Sequence, residues 1–227
     1  MQSKNASTKF SAARTIASVF GVLAGLGGLT HGIGETLQGN VAPDGIAIDS
    51  WTQGPIAAYM GGEPAMTIVP NLLLTGVLNI VVSLAVIVWS AVFVQRKGGG
   101  RVLMVLSIVM LLVGGGFGPP TLGLLAGVAG TGIGAPLTGW RKRLPVNVRH
   151  FLARLWPWVF GICAINGVFL VIGSVILVYV FELNNPDLFT NSFFFAVLSL
   201  PLAMLTGVAH DIQNRDAVSK TQVDGLE

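Results

Sequence analysis

The chain has 227 residues, 52% hydrophobic and only 10% charged, with a net charge of +3, where a soluble domain carries about 25% charged residues. Its mean hydropathy of +0.74 excludes a conventional soluble enzyme and a disordered chain, and the low charge density excludes a nucleic-acid binder despite a pI of 9.4. The single cysteine, Cys163, excludes an intramolecular disulfide framework and a cysteine-built zinc site.

A helix needs about 20 mostly apolar residues to cross the bilayer, because lipid offers its backbone no hydrogen-bond partner. Six stretches approach this requirement, at 15-37, 67-94, 102-118, 121-139, 156-181 and 192-210. They predict an all-α integral membrane protein of the cell membrane, with one six-helix domain over 15-210. A cytoplasmic segment 1-14 precedes it and a polar, frayed cytoplasmic tail 211-227 follows. The third and fourth stretches are short and meet at Gly114-Gly115-Gly116-Phe117-Gly118-Pro119-Pro120. That junction is either an outer turn between two spans or the tip of a re-entrant hairpin.

Lysine and arginine are retained on the cytoplasmic side during insertion. The thirteen basic residues fall before span one, between spans two and three, between spans four and five, and after span six. Six crossings with both termini inside put every cluster in the cytoplasm. The outer face then carries only the acids Glu35, Asp44, Asp49, Glu63, Glu182 and Asp187. A competing reading takes residues 1-30 as a secretory signal, with its basic start and apolar core; no small-x-small cleavage site directly follows. The glycosylation pattern Asn5-Ala6-Ser7 faces the cytoplasm on this topology and is expected to be silent.

Span one carries Gly21, Gly25, Gly28 and Gly32 at helical spacing, and span four carries Gly123 and Gly127. Such faces let helix backbones approach closely, a main source of association in lipid. His31 and Glu35 share a helix face near the outer end of span one. As imidazole beside carboxylate they suit a gate or proton relay; the plainer alternative is an interfacial pair bonded to loop 39-66. That loop holds Trp51, and 52-60 is expected to lie on the membrane surface as a short helix.

Span two places Asn71, Thr75, Asn79 and Ser83 four residues apart. Polar groups in hydrocarbon must find partners, so the stripe either glues helices together or lines a solute path, with Asn166 and Ser174 of span five as companions. Segment 141-155 combines five basic residues with Val148, Phe151, Leu152 and Leu155 on one face. It predicts an amphipathic surface helix against anionic lipid headgroups. Short matches between the halves, such as Gly76/Gly167 and Ser83/Ser174, suggest an inverted repeat of three spans each.

No Gly-x-Ser-x-Gly, His-Glu-x-x-His or phosphate-loop pattern occurs. No metal site or cofactor is expected. The leading expectation is a transporter or channel-like protein for a small neutral or ion-coupled solute. The alternatives are a non-catalytic accessory subunit, and a membrane enzyme acting on lipid or isoprenoid at the outer leaflet. The expected partners are the bilayer and either a second copy of the chain or a membrane protein.

Overall fold

The computed structural model describes residues 11-224, with side chains through Ser219; Lys4, Lys9 and Asn5-Ala6-Ser7 lie outside the described residues. The described residues are 77% helical. Four helices are long and apolar enough to cross a membrane: Ala12–Gln38, Leu72–Phe93, Val146–Phe181 and Pro186–Ser219. Large apolar side chains such as Val81, Leu84, Ile162, Ile165 and Leu198 stand exposed along them, as expected of faces that meet lipid.

Helix α1 (Ala12–Gln38) starts at Ser11, whose hydroxyl accepts from Arg14 N at 3.2 Å. Its first amides are also capped from across the fold: Ala12 N and Ala13 N donate to the buried carboxylate of Asp211 at 2.6 and 3.2 Å. That places a negative charge at the positive end of the helix dipole. In its most apolar window α1 is 61% enclosed, against 33%, 22% and 28% for the other three long helices. It is therefore the axis around which the rest pack. Ile16, Phe20, Leu23 and Ala24 form the core with Val86, Leu103, Met110, Ala126, Cys163 and Leu200.

After α1 the chain forms a cap. Strand β1 (Ala47–Asp49) pairs antiparallel with β2 (Pro64–Met66), and α2 (Gly54–Met60) lies between them. The expected short helix is present, but Trp51 packs its ring against Gly34 of α1. This two-stranded ribbon is an addition to the all-α expectation.

Helix α3 (Leu72–Val88) begins later than the 67-94 stretch implies. Asn71 is its N-cap and accepts from Leu74 N at 3.0 Å, so it stands before the helix and not within it. The helix runs on through a π turn, Trp89–Phe93.

Helices α4 (Gly99–Leu112) and α5 (Gly118–Thr131) have 14 residues each, about 21 Å of rise apiece. Both are shorter than the expected spans. Residues 132-137 leave the helix in turns, and α6 (Thr138–Arg143) follows. Helix α7 (Val146–Val168) continues through a second π turn, Phe169–Gly173, into α8 (Ser174–Phe181). Segment 141-155 thus divides between α6 and the first turns of α7. Helix α9 (Pro186–Asp224) extends well past 210, so the described part of the tail is helical, not frayed.

Contacts order the two ends. Gly132 lies beside Ala13 and Gly130 beside Ala17, while Pro119 lies beside Gly27; α5 therefore runs antiparallel along α1. The turn between α4 and α5 is stitched to the cap: Ile68 N donates to Leu112 O at 3.0 Å and Gly114 N to Met66 O at 2.9 Å. At the opposite end Arg215 bonds Ala135 O and Arg141 pairs with Asp216. The packing gives the inverted repeat no support, since α1 lies along α3 whereas α5 makes no comparable seam with α7.

Candidate functional site

The glycines of α1 turn toward α3 and α4. A methyl group at Gly25 would stand 2.8 Å from Ser83 O and 2.5 Å from Ile87 Cγ1, and one at Gly32 would stand 3.0 Å from Gly76 O. Gly21 faces Ser90 and Gly28 faces Ser83. On α5, Gly123 faces Ser107, and Gly127 approaches Gly100 O at 2.8 Å by the same measure. Only the missing side chains permit these approaches.

The polar stripe of α3 lies inside that seam. Thr75, Asn79 and Ser83 have no exposed surface. Asn79 Nδ2 donates to Gly28 O at 3.0 Å, Ser83 Oγ donates to Asn79 Oδ1 at 3.2 Å, and Thr75 Oγ1 meets Thr67 Oγ1 at 3.0 Å. These bonds satisfy polar groups between packed helices, so the stripe borders no open space. Asn71 bonds Asn40 in the loop, and Asn166 Nδ2 donates to Ser192 O at 2.9 Å, tying α7 to α9.

Open space lies on the other side of α1. A cavity of about 390 Å³ is bounded by α1, α5, the second π turn with α8, and the start of α9, beneath the cap. Most of its wall is apolar, from Leu23, Leu122, Val171 and Phe189 among others. His31, Glu63 and Ser174 also border it. Ser174 spends its hydroxyl hydrogen on Leu170 O, which leaves His31 and Glu63 as the ionisable groups among the described lining residues.

A buried chain of polar groups starts at His31. Its Nδ1 is 2.8 Å from Ser50 Oγ, which donates to Glu35 Oε1 at 3.0 Å. Because the serine hydrogen goes to Glu35, its oxygen accepts from His31 Nδ1–H, and in the neutral ring the lone pair then sits on Nε2. Nε2 is 3.4 Å from Glu63 Oε2. Glu35 and Ser50 are fully enclosed, and the Oε2 atoms of Glu35 and Glu63 are buried with no hydrogen-bond partner.

The local backbone explains this placement. Gly61, Gly62 and Glu63 all take positive φ, at 65°, 74° and 53°, a conformation that costs a non-glycine residue about 1–2 kcal/mol. The turn delivers Glu63 to the cavity. Burial raises the Glu63 carboxyl to about 7, since desolvation disfavours the charged form. Gly114 and Gly116, with φ of 95° and 73°, lay their backbone directly over the Glu35 carboxylate and the His31 ring.

The sequence pairs His31 with Glu35 by helical spacing, and the structure joins them through Ser50. Ser50 and Glu63 carry no motif; the Gly61-Gly62 pair before Glu63 is the one sequence signal that marks its turn. His150 and His210 are far from this site. His210 stacks on Trp156 at 4.6 Å beside Asp211, at the opposite end of the bundle. No cluster of three metal-ligating side chains occurs among the described residues.

The fold and site define a class, a polytopic helical membrane protein with an apolar cavity whose ionisable groups lie at its capped end. Comparison narrows this no further: no protein-family model, no curated protein and no solved structure matches the chain.

Proposed function

We propose that the protein is a carrier of a lipid-soluble small molecule, bound at the outer side of the membrane with its polar end at His31 and Glu63. The observation that carries this is the cavity of about 390 Å³, a largely apolar pocket with a few convergent polar groups. Its apolar wall favours an amphiphile over a water-soluble solute. A solute path along α3 has less support, because Thr75, Asn79 and Ser83 are enclosed and mutually bonded. That closed seam favours the second reading, an accessory subunit held together by its glycine faces. An enzyme acting on a bound lipid would use the same His31 end.

Filling the cavity tests the carrier reading. Leu122→Trp should weaken binding of a fluorescent amphiphile by the purified protein at least about tenfold, whereas Asn79→Leu should change binding much less than stability. Binding by Leu122→Trp that equals wild type sinks the carrier and leaves the accessory subunit.

We also propose six passes, with the end bearing Arg96, Arg141 and Arg215 in the cytoplasm and the cap outside. The separation of basic from acidic residues supports this. In a Cys163→Ser background, an impermeant thiol reagent applied to intact cells should label Asp44→Cys and spare Asn214→Cys. The reverse pattern would overturn the orientation.

A further inference from the structure

We propose that the cavity is a site for a lipophilic organic cation, an apolar amine or onium ion whose charge is balanced by the Glu63 carboxylate. This rests on the reading of the cavity as a ligand site and adds the charge of the ligand. No lysine or arginine borders the cavity among the described residues. Glu63 Oε2 is buried without a donor, and its near neighbour is the His31 ring nitrogen at 3.4 Å. The Glu63 side chain is 21% exposed, and a carboxylate so partly desolvated is stabilised by an incoming positive charge.

The rings of Phe117, Phe189 and Phe193 share the wall, and aromatic faces attract cations within about 6 Å. An anionic head would instead meet Glu63 and, one serine behind His31, Glu35. The groups around Glu63 have the same bias. From α1 come His31 and, through Ser50, Glu35; β1 adds Asp49 beside Gly62; and Asp187 follows the lining residue Pro186 at the start of α9. The lining residues of α5 and α8 carry no charge.

Uptake is therefore linked to a proton. With its carboxyl held near 7, Glu63 is mostly protonated at pH 6; the arriving cation takes the place of that proton, which leaves for water as the carboxylate forms. One positive charge enters and one departs, so affinity for the cation rises with pH.

The probes are tetraphenylphosphonium and tetraphenylborate, nearly equal in size and opposite in charge, measured by equilibrium dialysis against the purified full chain. Tetraphenylphosphonium should bind at least about tenfold more tightly, and its affinity should rise about tenfold from pH 6 to pH 8. Glu63→Gln should lose both the preference and the pH dependence. If that variant does not fold, the wild-type pH profile decides, and a flat profile overturns the proposal. Equal binding of the two probes overturns the cation assignment while leaving the cavity as a site. Failure of both probes, together with unaltered amphiphile binding by Leu122→Trp, overturns both readings.

Discussion

Gly25→Ile should abolish the fold, with no cooperative thermal transition in detergent and little protein recovered from the membrane. At this position α1 and α3 pack backbone against backbone: a Cβ would lie 2.8 Å from Ser83 O and 2.5 Å from Ile87 Cγ1. Over-packing a tight interior costs about 1–3 kcal/mol where side chains can yield, and a carbonyl in a neighbouring helix yields less. Gly25→Ala should lower stability by about 2 kcal/mol on the same reasoning. Adding Ile87→Ala should recover part of that loss, because it removes the flexible obstacle and leaves the Ser83 carbonyl in place. Full recovery in the double variant would show that the backbone approach is not limiting.

Gly114→Ala should disable the site while sparing the seam. Its φ of 95° is strained for any residue with a Cβ, at a cost of about 1–2 kcal/mol. The new methyl would also stand 2.6 Å from the Glu35 carboxyl carbon, where the carboxylate is fully enclosed and cannot swing away into solvent. Glu35 must then shift, and Ser50 and His31 shift with it. We expect amphiphile affinity to fall more than about tenfold while the thermal midpoint falls only moderately. Gly45→Ala, which meets nothing within 4 Å, is the control. A Gly114→Ala protein that binds normally would separate the buried chain from the function of the cavity.

The seam and the cavity lie on different sides of α1. The side bearing Gly21, Gly25, Gly28 and Gly32 is the closely packed one. The side bearing Leu23, Gly27, Thr30 and His31 faces the cavity. One helix thus supplies both a mechanical seam and one wall of the site, and its two glycine-bearing faces have different uses. Gly27 belongs to the second: a Cβ there would meet Pro119 at 2.9 Å, so this glycine brings the start of α5 close to the cavity end.

Composition and apolar length by themselves determined that this is a helical membrane bundle and placed the first two long helices closely, whereas α7 begins ten residues before 156 and α9 runs fourteen past 210. Apolar length and the distribution of lysine and arginine are properties of each segment alone, and they act during insertion, before helices find their neighbours. Helical spacing likewise put His31 and Glu35 on one face and aligned Gly21, Gly25, Gly28 and Gly32 with one another. What faces what was decided by the tertiary structure. A periodic stripe such as Thr75, Asn79 and Ser83 announces that polar groups need partners, but a packed helix and a water-filled path satisfy that need equally well on paper. The bond from Asn79 to Gly28 O favours the packed helix. Ser50 and Glu63 are single residues in a loop, and their value comes from a ribbon and three left-handed residues that carry them to His31. The cavity needs walls from α1, α5, α8 and α9, distant in the chain, and close packing elsewhere in the bundle is what leaves that space open.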